Sequence, residues 1–491
     1  MKRRSLPLAV IIGLFALPCV AFSQWSTAPS VNIPVVTAPE NQGSHKIVYD
    51  GHGGWFVVWH DQRNSATTGK DIYAQYFNAA GNPHWGANGV VVCDADFDQG
   101  YPKVTLDGAG GIIVSWEDWR GTTRDLYAQR LDAGGNPQWT ANGISVIATA
   151  DNECAFSVPD GAGGAIIMSG YGAVNRIAGD GTLPWGPANN PVVYSMSGFS
   201  WGPKLMSDGQ GGAILTWIES ADTAVQRVDK DGNFLWNSGN PVLLTTTGAS
   251  KCSRIISDGS GGAIIMWVDD RNTLAQIYAQ RINSSGVAQW AADGIQVTDA
   301  GINGNNHGFA SDAAGGAFVT WFDSNDDNLY AQRINSNGNH VWATAAQLTT
   351  TGDYDDTSYP PRKTVEDGNS GFITVWVNDS YEIMAQRVNA NGAAQWTANG
   401  VVLSNVAGSK GCSRIEGNGQ GGSVAIWGDN RNSAITGQDI YMQGVDLHGN
   451  LGNPQAPAAT VPTLNEWGII ILSLLMAGAA LWTIKRREVA G

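Results

Sequence analysis

Residues 258–290 read DGSGGAIIMWVDDRNTLAQIYAQRINSSGVAQW, and diluted copies of this stretch recur through a chain of 491 residues. An aspartate, in most copies followed by glycine, opens them at Asp50, Asp107, Asp160, Asp208, Asp258, Asp312 and Asp367, and Asn418 opens the last. The intervals run from 48 to 57 residues. Nine positions after each anchor stands a tryptophan (Trp59, Trp116, Trp217, Trp267, Trp321, Trp376, Trp427), with Ser169 the exception. A second tryptophan follows a turn glycine by four residues, at Trp85, Trp139, Trp185, Trp236, Trp290, Trp342 and Trp396. Self-similarity at this period is the mark of a repeat architecture, in which each copy is one supersecondary unit.

Each copy parses into four strands. In the fifth these are residues 253–257, 263–268, 276–282 and a stretch from 287 to 297. The run Ile277-Tyr278-Ala279-Gln280-Arg281 alternates as a pleated strand requires. Gly259, Gly261 and Gly262 supply the first hairpin, Asn283-Ser284-Ser285-Gly286 closes the third, and Asp293-Gly294 interrupts the fourth strand at a bulge or corner. Four antiparallel strands at this spacing predict an all-β, eight-bladed β-propeller. The eighth copy lacks its second tryptophan, and Asn453 stands there instead. Gln24-Trp25 followed by Ile33-Pro34-Val35-Val36 resembles Gln138-Trp139 followed by Ile144-Ser145-Val146-Ile147. The N-terminal segment is therefore expected to supply the outer strand of the last blade and close the ring, removing two exposed sheet edges. The tryptophans are expected to fill the wedges between blades.

The formal charge of −15 disfavours phosphate backbones, so nucleic acid is not expected as a partner. Cys154, Cys252 and Cys412 each lie six residues before an anchor. Their blades are not adjacent, so disulfides among them are not expected, and they read as small buried side chains.

The two ends give an address. Residues 1–23 carry Lys2, Arg3 and Arg4, then an apolar run, the layout of a secretory signal. The propeller is assigned to residues 24–452 and a Pro/Ala-rich linker to 453–462. Residues 468–484 are apolar apart from Ser473 and Thr483, and Lys485-Arg486-Arg487 follow, as for a single membrane-spanning helix with a cytoplasmic end. The preceding Val461-Pro462-Thr463-Leu464-Asn465-Glu466-Trp467-Gly468, taken with that span and basic end, resembles the IPTL-CTERM sorting signal of Gram-negative bacteria. The family has isoleucine where this chain has Val461. The resemblance covers residues 463–491 and the valine-proline before them. It implies recognition of Pro462, Thr463, Leu464, Glu466 and Trp467 by an exosortase-like enzyme. It also implies cleavage near the motif, and release or attachment at the outer surface.

Among polar patterns, Trp-x-Asp-x-Arg recurs as Trp59/Asp61/Arg63, Trp116/Asp118/Arg120, Trp267/Asp269/Arg271 and Trp427/Asp429/Arg431. Four copies argue for a structural brace, with Arg63, Arg120, Arg271 and Arg431 as candidate ligand contacts in the sharper reading. The arginines that end the Ala-Gln-Arg strands, such as Arg130 and Arg281, read as bracing between blades. Loops after the second and fourth strands vary and share one face, where recognition concentrates on a rigid scaffold. Trp119 and Trp201 lie outside both tryptophan registers and are candidates for sugar stacking. Asp94, Asp96 and Asp98 are spaced as in some calcium loops, which makes Ca2+ the one candidate cofactor. The seven histidines are scattered, and no HExxH, GxSxG or Cys–His arrangement occurs, so no catalytic activity is expected. The expected function is a surface scaffold that binds glycan, matrix polymer or protein. The alternative is a glycan hydrolase or lyase using carboxylates of the loop face.

Overall fold

The structure, a computed structural model, describes residues 25–149, 156–194, 204–272, 274–299, 304–350 and 364–455. They form eight four-stranded antiparallel sheets. In the first blade the strands, from the axis outward, are Gln42–Tyr49, Trp55–Asp61, Asp71–Phe77 and Val90–Cys93. Each later blade repeats that order, and each inner strand packs beside the next, with the eighth, Lys410–Gly417, returning to Gln42–Tyr49. The outermost strand of the eighth blade is Ile33–Val36, which pairs with Asp439–Val445 in the register Ile33 to Met442 and Val36 to Ile440. The closure expected from the sequence is therefore present.

Blade-to-blade packing follows from the tryptophan registers. Seven indoles of the first register are buried, Trp376 at 1% exposure and the others at 0%. Burying one such ring contributes about 2–3 kcal/mol. In the third blade, where Ser169 replaces the tryptophan, the buried Tyr194 donates its hydroxyl to the Ser169 carbonyl at 3.0 Å. Each second-register indole donates its N–H to a carbonyl in the strand three–four turn of the next blade: Trp85 to Ala133, Trp236 to Ser284 and Trp396 to Leu447, each at 3.1 Å. Trp25 makes the same bond to Ala79 at 3.0 Å, so the N-terminal segment also supplies the eighth blade's indole.

The anchor aspartates hold the hairpins. One Asp258 oxygen accepts the amides of Ser260 and Gly262, and the other accepts Arg281, whose guanidinium reaches on to the Ser336 carbonyl in the next blade. The Ala-Gln-Arg arginines thus brace neighbouring blades. Glycine at 262 is required by space, because a Cβ there would lie 2.2 Å from the Ile282 carbonyl oxygen.

Three expectations are corrected. The fourth strand of the fifth blade is not 287–297 but Ile295–Gln296, preceded by an isolated bridge at Ala288, because Asp293 and Gly294 both adopt positive φ and turn the chain. Cys252 is exposed, not buried, at φ +50° in a bulge of its inner strand; Cys154 and the side chain of Cys412 lie outside the described residues. The linker begins later than residue 453. Pro454 is buried, its carbonyl accepting Asn418, and Gln455 donates to the Tyr49 hydroxyl at 2.9 Å.

Candidate functional site

Strand direction sorts the connections onto two faces. Anchor hairpins and strand three–four turns occupy one face; the loops after strands two and four occupy the other. The Trp-x-Asp-x-Arg segments end the second strands at this variable-loop face. In the first blade Trp59 Nε1 donates to Asp61 at 2.8 Å, and the Arg63 amide and guanidinium donate to the same carboxylate at 2.9 and 2.5 Å. Arg63 also donates to the Asn88 carbonyl and lies 4.0 Å from the Tyr73 ring centroid. Arg120 over Tyr127, Arg271 over Tyr278 and Arg431 over Tyr441 repeat the arrangement at 4.1, 4.0 and 3.7 Å. The four aspartate side chains are fully buried, and the arginines retain 12–24% exposure. Burial pushes the Asp269 carboxyl up, but the Arg271 side-chain and amide hydrogen bonds outweigh it and hold the group below its ordinary value. The geometry places Arg63, Arg120, Arg271 and Arg431 in clasps that fasten each second strand to the third. The tyrosine beneath each guanidinium is the member that spacing alone did not bring out.

The residue between aspartate and arginine is the one this clasp presents to solvent. Its amide is fixed by a loop carbonyl: Gln62 to Asn41 and Trp119 to Asp98 at 3.0 Å, and Asp270 to Ala249 and Asn430 to Ser409 at 3.1 Å. Only the second blade puts an indole there. Trp119, partly exposed, lies 6.5 Å from the Tyr101 ring centroid and 5.0 Å from the Arg124 guanidinium, which pairs with Glu117. Tyr101 is 52% exposed and Phe97 65%, both held at positive φ. Together they make an exposed aromatic patch with one cation.

In the Asp94–Asp98 loop beside this patch, protein groups fill the places that the sequence reading offered to Ca2+. The carbonyls of Ala95, Asp96 and Phe97 converge on the Nε2 of buried Gln99, so an amide occupies the concavity. Asp98 is committed to Lys70, accepting its amide at 3.0 Å and its ammonium at 3.1 Å. Among the described residues no group of three acidic, histidine or cysteine side chains is placed to hold a metal. In the eighth blade the ammonium of Lys410 takes the corresponding place, donating to the carbonyls of Val406 and Gly408. Trp201 and the sorting motif at 462–467 lie outside the described residues, as do residues 1–23 and 468–484. No described helix is long and apolar enough to cross a membrane.

These features define a closed eight-bladed β-propeller of four-stranded antiparallel blades. Residues 459–487 match the IPTL-CTERM motif, which marks the propeller as exported and sorted to the cell surface through an exosortase-type enzyme. No curated protein matches the sequence. Among solved structures the chain is similar to a prolyl endopeptidase (12% identity, TM-score 0.44), covering 80% of this chain and 55% of that one. It is also similar to a polysaccharide lyase, a PL25 ulvan lyase bound to -[GlcA(1-4)Rha3S]- (11% identity, TM-score 0.44), covering 88% and 97% of the two chains. An oligogalacturonate lyase in complex with manganese is similar at 9% identity and TM-score 0.41, covering 82% and 97%. The chain thus spans about half the length of the prolyl endopeptidase.

Proposed function

We propose that the wheel is a surface-displayed binding module whose variable-loop face takes up glycan, matrix polymer or protein without transforming it. The observation that carries this reading is where the chain leaves the wheel. Pro454 and Gln455 pack against the anchor hairpins of the eighth and first blades, at Asn418, Gly422, Gly53 and Tyr49. The tether therefore departs from the hairpin face, and the variable loops with the Trp119 patch face the opposite way. A module anchored by its back presents its recognition loops outward. In this reading residues 1–23 direct export and are removed. Residues 468–484 hold the chain in the inner membrane of a Gram-negative envelope until the sorting enzyme cuts near Pro462.

The test is a glycan and polysaccharide array probed with the full-length chain in mild detergent, beside a Trp119→Ala variant of unchanged thermal stability. Wild type should bind at least one polymer, and the variant should bind it at least about tenfold more weakly, as expected for a central aromatic contact. Binding indifferent to Trp119 and to every other variable-loop substitution would refute the face assignment. Shortened products in the incubated polymer would refute the non-catalytic reading.

A further inference from the structure

One register of the repeats belongs neither to the tryptophan wedges nor to the loop-face clasps. Four residues before the anchors stand Lys46, Lys103, Phe156, Lys204, Arg254, Gly308 and Arg414, the seventh blade's equivalent lying outside the described residues. Lysine and arginine together number only 28 in 491 residues, so five of them at one register is not an accident of composition. All five lie on inner strands and line two cavities beside the axis. One, of about 470 Å3, is bounded by blades four to seven and includes Lys204 and Arg254. The other, of about 150 Å3, is bounded by blades eight, one, two and three and includes Lys46, Lys103 and Arg414.

The backbone is built to aim these side chains. In the first, second, fifth and eighth blades the inner strand is bulged immediately before the cation, the pairing register shifting between Gly43 and Lys46, Gly100 and Lys103, Lys251 and Arg254, and Gly411 and Arg414. Such bulges re-aim the following side chain. Ser44, Tyr101 and Cys252 take positive φ to make them. Lys46 donates to the Ser44 carbonyl at 3.0 Å and Lys103 to the Tyr101 carbonyl at 3.0 Å, which holds both ammonium groups toward the variable-loop mouth. In the third blade Phe156 replaces the cation, and its ring has Lys204 at 4.1 Å on one side and Lys103 at 5.4 Å on the other. Burial pushes the Arg254 guanidinium down to about 10, still cationic at neutral pH. Glu366 and Glu416 are the carboxylates lining the same cavities, so the described lining holds five cations against two anions.

We propose that these two cavities, facing each other across the axis, together bind an acidic saccharide, an oligomer or chain end bearing carboxylate or sulfate groups. The proposal rests on the binding-module reading above and names its ligand. The larger cavity is of the size that takes a small ligand. Several cations disposed around a ring match a ligand whose anionic groups recur along a short chain, and Phe156, which lines the smaller cavity, supplies an apolar face for a sugar ring. The whole chain's formal charge of −15 disfavours a long polyanion such as nucleic acid, whereas a compact anion is met by the local cations alone.

Titration calorimetry of the full-length chain in mild detergent would use four probes of equal length: a uronate oligosaccharide, a sulfated one, a neutral one and poly-glutamate. One or both acidic saccharides should bind and the other two should not, and which acid prevails identifies the anionic group. Lys204→Gln and Lys46→Gln should each weaken binding roughly tenfold, the effect of losing one charge-assisted contact. Lys230→Gln on the hairpin face should leave it unchanged, and raising the salt should weaken wild type more than either ring variant. Two single variants at separate blades guard against one that fails to fold. Acidic-saccharide binding that ignores both substitutions, or tighter binding of poly-glutamate, would overturn the proposal. Binding of only the neutral oligosaccharide, lost in Trp119→Ala, would overturn it while leaving the binding-module reading intact. No binding to any probe here or on the array would remove both.

Discussion

At the scale of single residues, a buried carboxylate is tolerated here because everything around it donates. Asp61 accepts an indole N–H, a backbone amide and a guanidinium. A lone buried charge would be costly, whereas a charge so surrounded fixes one geometry. The repeats provide an internal comparison. Trp321 and Trp376 occupy the same register, but their indole N–H groups are buried without an acceptor. Replacing Trp59 by Phe removes an indole and a hydrogen bond to a carboxylate; replacing Trp376 by Phe removes an indole and leaves no acceptor orphaned. Hydrogen bonds to charged groups are worth about 1.5–3 kcal/mol. Trp59→Phe should therefore destabilise the wheel by about 1–2 kcal/mol more than Trp376→Phe, read from denaturant midpoints at equal m-value. Equal losses would show that the clasp contributes packing alone. The Trp, Asp and Arg of this clasp were legible because they sit within five residues of one another; the tyrosine was not, since it comes from the next strand and only pairing register brings it beneath the arginine.

At the scale of elements, the inner strand is the part that sequence pattern described least well. Hairpins with Asp-Gly anchors announce their own turns, and strands two and three alternate or run apolar in the expected way. The bulge six residues before the anchors of the first, second and fifth blades leaves no such mark, because Ser44, Tyr101 and Cys252, none of them a glycine, take its positive-φ position. Cys252 read as a small buried side chain for that reason; it is an exposed residue at positive φ in the bulge. The fourth strand was overextended for a related cause, since Asp293-Gly294 reverses the chain before pairing can begin. His60, ending the second strand of the first blade, packs against Gly43 at its bulge and is held down to about 4 by burial, with Lys70 and Lys46 adding to the effect and Asp61 and Asp98 opposing it. Its ordinary value is about 6.5. Between those values the unfolded chain binds a proton that the folded chain does not, so this residue's contribution makes stability fall as pH drops from 6.5 toward 4. From pH 7 to pH 5 wild type should lose on the order of 1–2 kcal/mol more than His60→Gln. Identical pH responses in urea titrations would refute that assignment.

At the scale of the molecule, everything depends on two chain ends sharing one sheet. Ile33 and Val36 face Met442 and Ile440, the four side chains are buried in one cluster with Trp59, and Trp25 donates to Ala79 across the seam. The seam is not like the other seven junctions. Where the other blades carry an arginine or a bulky residue on the third strand, the eighth has Gly444, and a Cβ there would lie 2.2 Å from the Gly452 carbonyl oxygen. Removing that side chain makes room for the departing C-terminal segment beside Trp25. The ring therefore closes through apolar burial and strand pairing, and the seam depends on the N-terminal strand more than any other junction depends on one segment. Deleting residues 25–36 should expose the Asp439–Val445 edge together with Ile440 and Met442. An unpaired apolar edge pairs with whatever strand is offered. The deletion should lower the melting temperature substantially and shift the chain to larger species than wild type in size-exclusion chromatography. A synthetic peptide of residues 25–36 added in excess should restore both, by mass action on the folded state. A truncated chain that elutes and melts like wild type would mean that the wheel holds its shape without the seam.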